Sequence, residues 1–139
     1  MESRLAGDFT IEYVALPDQR RPARDFIEEL DDDAAAKVDS LIDRLRIYGT
    51  QMPGKFVTKL ASDIFELRVK HFDRIFRVLF FYQPGKLIVL TSGFTKKTQE
   101  TPPAEIARAE RLRELWLKYH NRYPESNAAR QKILREAGL

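Results

Sequence analysis

Three β-like segments between Ile64 and Lys97 constrain this chain more than any other feature. Ile64 to Lys70 alternates Phe65, Leu67 and Val69 with Glu66, Arg68 and Lys70, the period-2 pattern of a strand with one covered and one wet face. Arg74 to Tyr82 and Leu87 to Lys97 are longer and mostly apolar, as central strands are. Gln83-Pro84-Gly85-Lys86 separates them, with Gly85 available for a positive φ, so these two strands are expected to form an antiparallel hairpin. An apolar sheet face has to be covered, and the flanking segments must supply the cover.

Those flanks read mainly as helices. Residues 9–14, FTIEYV, alternate as a first strand that Pro17 and Asp18 end. From Arg21 onward Ala23, Phe26, Ile27 and Leu30 form one helical stripe, with Pro22 near the first turn. Asp31, Asp32 and Asp33 then break and recap the chain, since carboxylates favour the free N–H groups at a helix start. Val38, Leu41, Ile42, Leu45 and Tyr48 stripe the second helix, and Gly49 ends it. Residues 50–62, with Pro53-Gly54, read as a loop leading into the sheet.

After the strands, Thr101 and Pro102 signal a helix running to about Tyr119, with the Thr101 hydroxyl as its cap and a seam of Ile106, Ala109, Leu112, Trp116 and Tyr119. Tyr123-Pro124 stops it. Ser126 is placed to cap a last short basic helix over Asn127 to Ala137, whose stripe of Ala129, Ile133, Leu134 and Ala137 is too short to stand alone and should dock. The expected order is β-α-α-β-β-β-α, an α+β domain with a mainly antiparallel sheet over residues 1–123 and a helical tail over 124–139.

With 139 residues, 43% of them apolar, a chain of this kind builds one core without disulfide or metal staples. It has no cysteine, which removes thiol catalysts, iron-sulfur clusters and cysteine zinc sites and fits a reducing cytoplasm. His71 and His120 are the only histidines, a poor ligand supply, and neither metal nor cofactor is expected. The N-terminal stretch MESRLAGDFTIEYVALPDQ is broken by charges and no window approaches a membrane span, so a soluble, cytoplasmic, non-exported protein with no membrane partner is expected. Net charge is −2 over residues 1–17 and −3 over 18–48, then +5 over 55–100 and +3 over 101–139. The positive part of so dipolar a molecule can attract a polyanion.

Strand alternation gathers these cations. Arg68 and Lys70 share the polar face of one strand, Arg74 and Arg77 lie on the next, and Lys96 and Lys97 close the last. Arg77 falls with Ile75, Leu79 and Phe81, and Arg74 falls with Phe76, Val78 and Phe80. An arginine among aliphatic side chains needs a partner, so an internal ion pair of Arg77 with Glu66 or Asp63 is the structural alternative to a binding role. RNA carries its own nucleophile, the 2′-hydroxyl. An enzyme need only move protons and stabilise charge growing on the phosphate, which arginine forks and lysine ammonium groups do without a metal. His71, at a strand-to-turn edge, and His120, at a helix end, are the neutral-pH proton carriers available. Tyr82, Tyr119 and Tyr123 are candidates for stacking on bases or for the core.

The pieces Glu66-Leu67-Arg68, Arg77 to Phe81, Gly93 to Pro102 and Glu105 to Ala109 read E-L-R, R-V-L-F-F, G-F-x-K-K-T-x-x-T-P and E-I-x-x-A. In that order, across residues 9–113, the chain resembles the HigB-like, phage-related branch of the RelE toxin superfamily. The resemblance implies a RelE-like fold, metal-independent cleavage of mRNA on the ribosome, and inhibition by a cognate antitoxin, commonly a helix-turn-helix protein through which any DNA contact is made. Carried over by position, Arg77, Lys96, Lys97 and Arg68 match the basic motif residues and are the expected catalytic residues; Arg74, Lys70, Tyr82 and His71, from their strand placement and residue type, are the expected RNA-binding ones. The chain departs from the pattern at two points. Thr91-Ser92-Gly93-Phe94 lacks the histidine of the usual L-H-G-F, and Glu66 stands where some members carry a base. A binding module of the same fold that docks RNA, ribosome or antitoxin without cutting is the competing expectation.

Overall fold

A computed structural model describes residues 8–139; the first seven residues of the N-terminal stretch lie outside it. Among the described residues the elements are β1 (Thr10–Tyr13), α1 (Pro22–Glu28), α2 (Asp32–Tyr48), β2 (Val57–Ala61), β3 (Ile64–His71), β4 (Arg74–Gln83), β5 (Leu87–Thr95), α3 (Pro103–Tyr119) and α4 (Asn127–Ala137). The sheet order is β1-β5-β4-β3-β2. β1 runs parallel to β5 and every other pair is antiparallel. This five-stranded, mostly antiparallel α+β sheet with four helices is consistent with the RelE-like fold that the resemblance implies.

Both faces of the sheet are covered, and unequally. One face presents Leu67, Val69, Phe76, Val78, Phe80, Ile88 and Leu90 to Ala23 and Ile27 of α1 and to Val38, Leu41, Ile42 and Leu45 of α2. α1 approaches closely because Gly93 has no side chain: a Cβ there would stand 2.5 Å from the Phe26 ring. Gly49, at φ +52, ends α2 where a Cβ would fall 2.0 Å from the Phe9 ring, so both conformation and space call for glycine. The other face carries Phe81 and Val89 against Leu112, Leu115 and Trp116 of α3, and Ile64 and Leu79 against Ala109.

The tail completes that second layer. Ile133 and Leu134 are buried in the same cluster as Trp116 and Leu112, and Ser126 caps α4 by accepting from the Ala129 N–H at 3.3 Å. At the far end of α3, Asn121 donates to the Tyr13 carbonyl at 2.8 Å and accepts from Ala15 N–H at 2.9 Å, tying the exit of β1 to the helix.

Three expectations need correction. The segment 50–62 is not only loop: it holds a short 3₁₀ turn at Gly49–Gln51 and the edge strand β2, paired with β3. Tyr48 is half-exposed and leaves the α2 stripe one turn early, because Gly49 already turns the chain away. Thr101 does not cap α3, which starts at Pro103 behind Pro102 with no side-chain cap. Its hydroxyl is used elsewhere.

Asp31 does cap α2, accepting from the Ala34 N–H, and it also binds Arg74, Oδ1 to Nη1 at 2.6 Å. Bonding to the Arg74 guanidinium, with the Ala34 N–H adding to it, lowers its carboxyl from 3.8 to about 2. A depressed pKa stabilises the fold above the ordinary carboxylate value and loses that contribution as pH falls through about 2. Arg74→Ala should therefore move the Asp31 carboxyl back toward 3.8 in an NMR titration. In urea denaturation, Leu134→Ala should cost about 2–3 kcal/mol, the loss expected for a buried leucine; a cost near zero would mean that α4 contributes nothing to the core.

Candidate functional site

α3 lies over β5, β4 and β3 of its sheet face, with Ala109 on Ile64 and Leu79 and with Phe94 packed against them. Toward the β3–β4 turn the same face continues as a strip of Arg68 and Lys70 of β3 and Ile75 and Arg77 of β4. Register puts Arg68 directly opposite Arg77 and Lys70 opposite Ile75. β5 runs on one residue beyond its last ladder pair, since Lys96 N–H still donates to the Ile75 carbonyl at 2.7 Å, which brings the Lys96 side chain onto the same strip. The segment after β5 then folds over, and Asp73, Ile75, Lys96, Lys97, Thr98 and Gln99 line a shallow, open groove.

Under this strip lies a closed polar triangle. Arg77 is 7% exposed and Glu66 2%. Arg77 Nη1 donates to Glu66 Oε1 and to Thr101 Oγ1, the latter at 3.0 Å, while the Thr101 hydroxyl donates to Glu66 Oε2. Nη2 of Arg77 donates to the Gln99 carbonyl at 3.3 Å, and Nε is buried without a partner. The internal ion pair that alternation allowed is thus formed with Glu66; Asp63 pairs instead with Arg113 at 3.2 Å. Charge assistance on both sides makes such a pair strong in place, and its burial makes an unpaired remnant costly.

With Arg77 neutralised by Glu66, the positive charge of the strip comes from Arg68, Lys70, Lys96 and Lys97. Lys70 and Lys97 are exposed; Arg68 and Lys96 are half-buried. Desolvation, followed by the nearby Arg77 and Arg68, lowers the Lys96 ammonium below its usual range, partly offset by Glu66.

The other expected residues stand apart. Arg74 is on the α1–α2 face, held by Asp31 and stacked over Phe76 at 5.2 Å. Tyr82 belongs to an aromatic cluster with Phe65, Phe80 and Phe9, its hydroxyl donating to the Gly49 carbonyl at 3.2 Å, and burial raises its pKa. His71 ends β3 on that same face, its ring edge-on to Phe72. His120 lies on Trp116 at the opposite end of α3, roughly 25 Å of helix from the strip. The Tyr123 hydroxyl donates to the Ala15 carbonyl, and burial pushes its pKa to about 12. Neither histidine reaches the cations. Glu66 is legible in the sequence as a possible partner of Arg77 and joins the site through that ion pair; Thr101, which reads there as a helix cap and as part of the T-P motif, is not expected in the site, which it joins by its hydroxyl.

The sheet, with its cationic strip beside the start of a covering helix, is of the α+β, RelE-like class. Residues 25–114 match the family described as Phage derived protein Gp49-like (DUF891). That match covers more than half of the chain, and the chain belongs to this family, a RelE-toxin-like one. No curated protein matches it. Among the described residues no three metal-ligating side chains gather, and no helix is long and apolar enough to cross a membrane.

The buried pair yields a stability test. Arg77→Ala should destabilise the fold by about 3–5 kcal/mol in urea, because it leaves the Glu66 carboxylate buried and unpaired. The double variant Arg77→Met, Glu66→Leu should recover most of that loss. Similar costs for the two would show that packing, not charge pairing, holds the triangle.

Proposed function

We propose that this chain is the toxin of a toxin-antitoxin module, a HigB-like member of the RelE superfamily acting in the cytoplasm as a ribosome-dependent mRNA endoribonuclease. The observation that carries this reading is the convergence of Arg68, Lys96 and Lys97 around the groove beside the Arg77–Glu66–Thr101 triangle. The scissile phosphate sits between Lys96, Lys97 and Arg68, where compact and forked cations offset the charge that grows as the 2′-hydroxyl attacks. No metal is needed for that chemistry, since the substrate supplies its own nucleophile. Arg77 acts as a positioning residue: its bonds to Thr101 and the Gln99 carbonyl anchor the segment that carries both lysines. Lys96, its ammonium disfavoured by its surroundings, is suited to take the proton of the attacking 2′-hydroxyl or to return one to the leaving 5′-oxygen. Lys70 lies along the path of the RNA backbone. Antitoxin, a helix-turn-helix protein by the resemblance, restrains the enzyme and supplies any contact with DNA.

A second reading, docking on RNA without cleavage, is favoured by two observations: Arg77 is committed to Glu66, and neither His71 nor His120 stands in the site.

Purified protein added to translating ribosomes should cut mRNA at a free-divalent level just sufficient for the ribosome and leave 2′,3′-cyclic phosphate ends. Lys96→Ala together with Lys97→Ala should slow cutting by about a hundredfold or more, the usual loss for removing a transition-state donor. Ends bearing a 3′-hydroxyl would eliminate the 2′-hydroxyl route, and ribosome binding with intact mRNA would establish the docking reading.

A further inference from the structure

The two-residue turn between β3 and β4 ends in a feature that the site described above does not use. His71 and Arg74 pair across the ladder, leaving Phe72 and Asp73 as the tip. Phe72 is the most exposed large apolar side chain among the described residues, at 81%, whereas Tyr48 reaches 50%. Its backbone has φ +56, in the left-handed region that such turns normally fill with Gly, Asn or Asp and that a bulky side chain rarely enters. A bulky aromatic held in an unfavourable conformation and in water serves neither the core nor the turn. The tip is firmly based: the β3–β4 ladder runs without a shift from Phe65 to His71. One edge of the Phe72 ring is braced by the His71 imidazole, with centroids 4.7 Å apart at 68°. The neighbouring residue Asp73 lines the groove of Lys96 and Lys97, its charge acting also on Arg74, and Lys70 lies two positions back along β3.

We propose that Phe72 is a stacking platform for one unpaired base of single-stranded RNA whose phosphates run along Lys70, Lys96 and Lys97; this rests on the RNA-directed reading of the strip. An exposed aromatic at the tip of a strand that carries Lys70, one residue before Asp73 of the lysine groove, matches how sequence-tolerant single-strand binders work: charge tracks the backbone and a π-face takes whichever base arrives. Phenylalanine has no hydrogen-bonding group, so it adds affinity and registers the strand without choosing a base. A protein partner is the less favoured occupant, because among the described residues the other exposed large apolar side chains, Tyr48 and Leu117, lie on α2 and α3 rather than on this turn.

The probe is a fluorescein-labelled single-stranded RNA with 2′-O-methyl sugars, which cannot be cut, beside a strand of the same length with abasic sites. Phe72→Ala should weaken binding of the first about 5- to 150-fold and leave the abasic strand unaffected. Phe72→Gly should do the same while melting no lower than the parent chain, since glycine accepts this φ, so misfolding cannot account for the loss. Phe72→Trp should restore binding, with its fluorescence quenched by the base. The slope of log affinity against log salt should stay unchanged in all three and shrink on removing Lys96 or Lys97. Parent-level affinity in Phe72→Gly, or an equal loss on the abasic strand, would overturn the stacking role and leave the RNA reading standing. Failure of the parent chain to bind either strand or ribosomes would overturn both. Loss of antitoxin binding with RNA binding intact would make the tip a protein anchor instead.

Discussion

The register between β3 and β4 sets Arg68 directly across from Arg77, and much of the site follows from how that pairing is tolerated. Like charges facing each other across an antiparallel pair repel. Two arginines on the partly covered face of a sheet would normally push the strands toward another register or draw water into the layer. Here Glu66, two residues before Arg68 on the same face, takes up the Arg77 charge at depth, and Arg68 is left half-exposed. The carboxylate that looked out of place in a basic motif is what allows two arginines to share a strip. Its second oxygen then captures Thr101, so one buried charge fixes both the sheet register and the end of the segment leading into α3.

Depth therefore separates roles that the sequence presents as one basic cluster. The buried guanidinium has geometry but little free charge; the outer cations have charge and room to move. A site built this way presents a shallow, wet, positive groove on a rigid floor, which suits a long flexible polyanion better than a small enclosed substrate.

Much of this was legible beforehand where a single period ruled. The hairpin at Gln83–Lys86, both α2 boundaries and the sharing of one face by Glu66, Arg68 and Arg77 all follow from alternation, capping and turn chemistry. The same alternation already placed Arg74 with Phe76, away from Arg77. What escaped was set by tertiary context. Val57–Ala61 offers a strand of only five residues with Thr58 and Lys59 exposed, too short a pattern after Pro53-Gly54 to stand out from a loop. Thr101 has the residue type of a cap, but Glu66 competes for its hydroxyl and wins. Nothing in the identity of Phe72 announces a left-handed backbone; the two strands impose it by requiring a two-residue link.

The parallel pairing of β1 with β5 has a consequence for the order in which the molecule can be completed. Thr10 sits opposite Leu87 and Tyr13 opposite Leu90, so β1 leaves the ribosome with no ladder to join until β5 has followed it. α1 and α2 can form locally, yet the sheet face that they cover does not exist until β3, β4 and β5 emerge. Contacts so distant in sequence close late, and vectorial synthesis delays them further. The cationic strip draws on residues as far along as Gln99 and Thr101, so a nascent or prematurely terminated chain ending before that segment lacks the groove altogether. Only a chain that extends past Thr101 carries the assembled surface.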